Sequence, residues 1–93
     1  MFNINEYFDR KVVSLGFENK DGAITVGVMA EGEYEFGTST KEYMTVTSGN
    51  MLVLLPGKTE WETYNEFETF IVEKDNKFKV KVVEPTSYRC VYG

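Results

Sequence analysis

A side-chain period of two runs through almost the whole chain, and no other feature restricts the fold as much. Phe78, Val80 and Val82 alternate with Lys77, Lys79 and Lys81. Val13, Leu15 and Phe17 alternate with Val12, Ser14 and Gly16, and Ile24, Val26 and Val28 with Thr25, Gly27 and Met29. Tyr34 and Phe36 are set between Glu33, Glu35 and Gly37. Such alternation is expected of strands with one dry and one wet face. Met51-Leu52-Val53-Leu54-Leu55 is apolar at every position, which suits a central strand or a subunit interface. Turn signals separate the runs: Asn19-Lys20-Asp21-Gly22 reads as a hairpin, and Ser48-Gly49-Asn50, Pro56-Gly57 and Lys74-Asp75-Asn76 read as tight connections. The spacing predicts roughly nine short strands in a sandwich or small barrel. One helical turn is expected near Asn5 to Phe8, with Asn5 as its cap. No linker or repeat interrupts residues 1–93, so the expectation is one all-β domain.

Composition then removes whole classes of chemistry. The chain contains no histidine and one cysteine, Cys90. That excludes histidine-based nucleophilic triads and leaves too few soft ligands for a zinc, copper or non-haem iron site. No metal and no organic cofactor is therefore expected. A net charge of −5 repels phosphate backbones and argues against a nucleic-acid polymer as partner. The longest apolar run, Met51 to Leu55, is far short of the ~20 residues a membrane span needs. The N-terminal Met1-Phe2-Asn3-Ile4-Asn5-Glu6 lacks the basic and apolar regions of a secretory signal, and with a single cysteine this points to the cytoplasm. Charges also sort by segment. Glu60, Glu62, Glu66 and Glu68 precede Lys74, Lys77, Lys79 and Lys81, and would face each other if these segments pair.

Two resemblances add to this reading. The stretch Tyr34-Glu35-Phe36-Gly37-Thr38, followed by Glu42 and Gly49, resembles the first cupin motif, with Phe36 and Thr38 where its histidines would stand. It implies a cupin-like small β-barrel of the jelly-roll type whose usual metal site is lost. A fuller resemblance spans the chain. Asn5-Glu6-Tyr7-Phe8 with Lys11-Val12, Gly27-Val28-Met29, Gly32-Glu33-Tyr34 and Met44-Thr45-Val46 form its first part. Leu54-Leu55-Pro56, Trp61, Tyr64 and the ending Glu84-Pro85-Thr86-Ser87-Tyr88 with Cys90 and Tyr92 complete it. Together these resemble the small pyrimidine/purine nucleoside phosphorylase family. The resemblance implies a metal-independent homodimer that uses inorganic phosphate to split nucleosides into free base and ribose 1-phosphate. Phe67, Glu73 and Lys74 depart from the pattern, standing where relatives tend to carry glycine or proline.

Such a reaction passes through an oxocarbenium-like ribose and needs a carboxylate to stabilise it. Glu42 is the first candidate and Glu33 the second. Phosphate needs donors, which backbone N–H groups, Lys11, Thr38, Thr86 and Ser87 can supply. The base needs a flat apolar slot, for which Tyr34, Phe36, Trp61 and Tyr88 are candidates, since every base has a π-face. Glu42 lies two and four residues from Met44 and Val46, so it shares their face. The rival reading is a non-catalytic domain that binds a small sugar or nucleotide-like ligand in the same slot. Cys90 is expected to pack as a small buried apolar group.

Overall fold

Each alternating run becomes a strand. The structure, a computed structural model, describes residues 2–93; Met1, the first residue of the N-terminal stretch read above, lies outside them. The strands are β1 (Asn3–Tyr7), β2 (Val12–Asn19), β3 (Gly22–Met29), β4 (Gly32–Gly37), β5 (Glu42–Ser48), β6 (Met51–Leu54), β7 (Glu62–Tyr64), β8 (Thr69–Val72), β9 (Lys77–Val82) and β10 (Thr86–Tyr92). They form two sheets, a six-stranded one in the order β1-β2-β3-β10-β5-β8 and a four-stranded one in the order β4-β9-β6-β7. Every pairing is antiparallel.

The all-β expectation holds, but the closed cupin-like barrel does not. Among the described residues no ladder joins β1 or β8 to β4 or β7, so both sheets are open and lie face to face. A sandwich and a barrel bury the same alternate residues; they differ only in whether the edge strands pair, and that contact leaves no trace in local periodicity. The core between the sheets holds Val12, Met29, Val46, Met51, Val53, Phe78, Val80 and Cys90, all 2% exposed or less. Met51 to Leu54 becomes β6, an inner strand between β9 and β7, with Met51 and Val53 buried and Leu52 and Leu54 half-buried.

The turns follow their chemistry. Gly22 closes the β2–β3 hairpin at φ 103°, Gly49 turns the chain from β5 into β6 at φ 91°, and Asp75 takes φ 60° before β9. At Gly49 a Cβ would lie 2.6 Å from the Thr86 hydroxyl, so both the backbone angle and the space require glycine there. The corner between β3 and β4 is fixed by Tyr34, whose hydroxyl donates to the Ala30 carbonyl at 2.6 Å.

Two local expectations fail for the same reason, tertiary pairing. Asn5 to Phe8 contains no helical turn: residues 3–7 pair with β2, Ile4 opposite Leu15 and Tyr7 opposite Val12. The chain then reverses through Phe8, Asp9 and Arg10, all at φ between 54° and 68°. The lysines of β9 face β4 rather than the Glu60–Glu68 segment: Lys81 is opposite Glu33 and Lys79 opposite Glu35. Lys81 Nζ lies 3.7 Å from the Glu33 carboxylate, an exposed pair of small energetic consequence.

The β2–β3 hairpin presents its larger apolar residues outward. Leu15, Val26 and Val28 are 47%, 43% and 52% exposed, whereas Ser14, Gly16 and Gly27 are buried on the inner face. With Ile4, these outward residues form a contiguous apolar strip, in register across β1, β2 and β3. Gly27 leaves room for the Tyr88 ring, while Ser14 and Gly16 each line a hollow.

Candidate active site

Ser14, one of those small residues, lines a cavity of about 380 Å3 opening between the sheets. It falls within the roughly 300–1,000 Å3 typical of small-molecule sites. The six-stranded sheet supplies Ser14, Met29, Glu42, Met44, Tyr88 and Tyr92, and the four-stranded sheet supplies Phe36 and Phe78. Tyr7, at the end of β1, and Phe8, on the left-handed turn, complete the mouth.

Strand parity places the polar groups. Tyr88, Cys90 and Tyr92 alternate on β10 and point inward, and Tyr92 pairs with Glu42 across the ladder to β5. Glu42 opens β5 on the side of buried Met44 and Val46, as its spacing predicts. The carboxyl Oε1 lies 3.5 Å from Cys90 Sγ, the one hydrogen-bond partner it has among the described residues. Among those residues Glu42 has no ion-pair partner; the neighbouring Lys41 lies 3.7 Å from the Glu73 carboxylate and over the Tyr43 ring at 5.3 Å. Burial raises the Glu42 carboxyl above its ordinary range, with the Cys90 thiol as a smaller opposing influence. The Tyr88 phenol is pushed up to about 12 by burial, and burial also raises Tyr92 and the Cys90 thiol.

The hydroxyls are anchored at the back. Tyr92 shares a hydrogen bond with Thr25 at 3.0 Å, and the Asn5 amide donates to Ser14 at 3.3 Å. Gly27 makes room for Tyr88: a Cβ there would sit 2.6 Å from the phenol oxygen. At the mouth the Phe8 ring lies 5.7 Å from Phe36, edge-on, and 5.0 Å from Tyr34. These separations suit mutually supporting aromatic rings. No three histidine, cysteine or acidic side chains converge to hold a metal among the described residues.

Of the residues singled out in the sequence, Glu42, Phe36 and Tyr88 meet in this cavity. Tyr34 lies behind Phe36, 4% exposed, engaged at the β3–β4 corner. The others are placed elsewhere. Glu33 pairs with Lys81, and Trp61 lies under the same Lys81 ammonium, 4.6 Å from its ring centre. Lys11 is exposed on the turn after Arg10, its N–H bonded to the Phe8 carbonyl. The Thr38 hydroxyl donates to the Glu73 carbonyl at 2.7 Å and accepts from the Asn76 N–H. Thr86 donates to the Glu84 and Asn50 carbonyls, and Ser87 is bonded to Thr47 at 2.7 Å. Tyr7, Phe8, Ser14 and Tyr92 bring further polar and aromatic groups to the cavity that were not among the candidate site residues. The available signal was Ser14, a small polar residue at a buried position of β2.

A second, larger hollow of about 730 Å3 runs along β1, β2 and β3 and shares Tyr92 with the first. Its one ionisable side chain besides Tyr92 is Glu18, an exposed residue near the hairpin tip, so the converging chemistry lies in the smaller cavity.

Comparison with known proteins decides the family. A family model described as pyrimidine/purine nucleoside phosphorylase matches residues 2–92. The chain belongs to this family. A pyrimidine/purine nucleoside phosphorylase of Alcanivorax borkumensis is 55% identical over 93 residues, covering 100% of this chain and 99% of the relative. One from Pseudomonas putida is 53% identical over 92 residues, covering 99% and 98%. Among solved structures, a Vibrio parahaemolyticus protein of unknown function superposes with a TM-score of 0.94 at 42% identity, covering 100% of this chain and 99% of that one. An Acinetobacter protein of unknown function gives 0.92 at 28% identity, covering 98% and 90%. Both solved structures share this chain's fold over nearly its whole length.

Proposed function

We infer that the chain is a nucleoside phosphorylase, a pentosyltransferase that uses inorganic phosphate to convert purine and pyrimidine nucleosides into free base and ribose 1-phosphate. The family match over residues 2–92 carries this reading. The cavity supplies a site for it: an inward carboxyl without an ion-pair partner, ringed by hydroxyls and faced by aromatic rings.

The bond from the ribose anomeric carbon to the base nitrogen breaks as positive charge develops on the sugar. Glu42 is the group placed to stabilise that charge, and a carboxylate held in a partly dry wall acts more strongly there than in water. Tyr7, Tyr88, Tyr92 and Ser14 offer neutral donors for ribose hydroxyls and phosphate oxygens. Phe8 and Phe36 form the slot against which the base stacks, an interaction every base can make. That accounts for acceptance of both purines and pyrimidines. The reaction needs no metal, since the carboxylate supplies the charge and phosphate is already a nucleophile. The test is product analysis: nucleoside and phosphate should yield free base and ribose 1-phosphate in equal amounts, and absence of ribose 1-phosphate overturns the reading.

The outward apolar strip of Ile4, Leu15, Val26 and Val28 is the surface on which a second copy of the chain packs, making a homodimer. Among the described residues no helix is long and apolar enough to cross a membrane. The cytoplasm, where nucleosides and phosphate meet, is the compartment that suits a single-domain enzyme with one buried free cysteine.

A further inference from the structure

The charged side chains lining the cavity are acidic, Glu35 and Glu42. Among the described residues that line it there is no lysine or arginine. Lys11 sits on the outer turn, Lys41 lies against Glu73 and Tyr43, and Arg10 lies 3.5 Å from the Glu6 carboxylate. The charged side chain that points inward is Glu42 itself; Glu35, at the rim, alternates with inward-facing Phe36 and is opposite Lys79. A phosphate anion entering here meets neutral hydroxyls and a carboxyl of its own sign. A neutral nucleophile meets no such repulsion. Cys90 engages Glu42 through Oε1, so the other carboxyl oxygen is left to accept a proton.

We propose that this chain is also a nucleoside hydrolase, with water taking the place of phosphate in the same cavity when phosphate is scarce. This rests on the phosphorylase reading above. The water oxygen bonds to the anomeric carbon as the glycosidic C–N bond breaks, and that bonding pair leaves with the base nitrogen. Glu42 takes the proton released by water and passes it to the departing base. The products are free ribose and free base, with no oxidant, reductant or metal required. Glu42 thereby acts as a general base, a role phosphate does not need it to play.

The experiment incubates the protein with a nucleoside after enzymatic removal of phosphate, then across a series of added inorganic phosphate, and quantifies ribose, ribose 1-phosphate and base. Ribose should form without phosphate and give way to ribose 1-phosphate as phosphate rises, because both nucleophiles compete for the same bound nucleoside. Glu42→Gln should lower ribose formation by about 10²-fold, the usual contribution of a positioned base. Ribose formation at the uncatalysed rate, while ribose 1-phosphate forms normally with phosphate, overturns the hydrolase proposal and leaves the phosphorylase reading standing. Ribose whose yield is unaffected by phosphate, or by the Glu42 substitution, also overturns it. Absence of base in every arm overturns both.

Discussion

Replacing Glu42 with glutamine removes one negative charge and almost nothing else. The amide keeps the shape of the carboxyl and can still meet Cys90 Sγ, 3.5 Å from Oε1. The strand around it is held by the β5–β10 and β5–β8 ladders, so Glu42→Gln should fold as the parent does. Activity should not survive so well. Loss of one preorganised group that meets transition-state charge costs about 10²–10³ in rate, or about 2.7–4 kcal/mol. The expected result is a fall of that size in kcat/KM for every nucleoside, read from base release at fixed phosphate. A second readout tests the burial argument. Because desolvation raises the Glu42 pKa above 4.5 in the folded chain, its favourable contribution is complete below 4.5 and is lost as pH rises through the raised value. The parent should therefore lose stability relative to Glu42→Gln as pH climbs above 4.5, measured by urea midpoints. The difference should be small, since the side chain is only half-buried. Glu60→Gln, at an exposed position outside the cavity, should move neither quantity. Parental turnover by Glu42→Gln would refute the placement of the reacting ribose beside this carboxyl.

Three further outcomes follow from geometry. Phe67 holds φ 71° with its ring 75% exposed, so Phe67→Gly should stabilise the chain by up to ~1 kcal/mol in urea unfolding, relieving a left-handed backbone cost of about 1–2 kcal/mol. Gly27→Ala would bring a Cβ within 2.7 Å of the Tyr88 ring and 2.8 Å of the Val13 carbonyl. It should cost about 1–3 kcal/mol and reduce turnover, because the ring it displaces lines the cavity. Leu15→Lys, in the middle of the outward apolar strip, should convert a dimer to a monomer in sedimentation, and a monomeric parent at micromolar concentration would remove the basis for that interface.

The strands were legible because alternation is a local signal, and the turns because glycine and asparagine chemistry is local too. Gly22, Gly49 and Asp75 all take the left-handed angles their types tolerate. Glu42 was legible by the same parity, being two residues from buried Met44. What failed was non-local. The capping signal at Asn5 lost to the pairing of β1 with β2, and the Glu and Lys clusters lost to the register of β4 with β9. Edge pairing, which separates two open sheets from a closed barrel, is the most non-local feature of all. The site was hidden by an inversion on β2 and β3. Leu15 and Val26 look like core residues and Ser14 and Gly27 like surface ones, yet the structure reverses them. On these two strands the usual roles of the two faces are exchanged.

The most distinctive sequence element, Glu84-Pro85-Thr86-Ser87-Tyr88, gains its meaning from β10 rather than from its own chemistry. Thr86 is 1% exposed and ties the carbonyls of Glu84 and Asn50, locking the entry of the strand against the Gly49 turn. The ladder to β5 then shifts register between Ser87 and Tyr88. The extra residue, Thr47, lies on β5, so the bulge bends β5 while β10 keeps its alternation. By plain alternation Tyr88, Cys90 and Tyr92 share the inward face, and β10 lies between β3, which supplies Gly27 beneath Tyr88, and β5, which supplies Glu42 beside Cys90. One strand therefore sets the position of two phenols and of the thiol that orients the carboxyl. The chain has no histidine, and the polar side chains of the cavity are carboxyls, phenols and a serine hydroxyl. Their usefulness depends on how well this central strand is aimed. Thr86 and Gly49 act on the site through that aim, and neither needs to touch a substrate to be required for it.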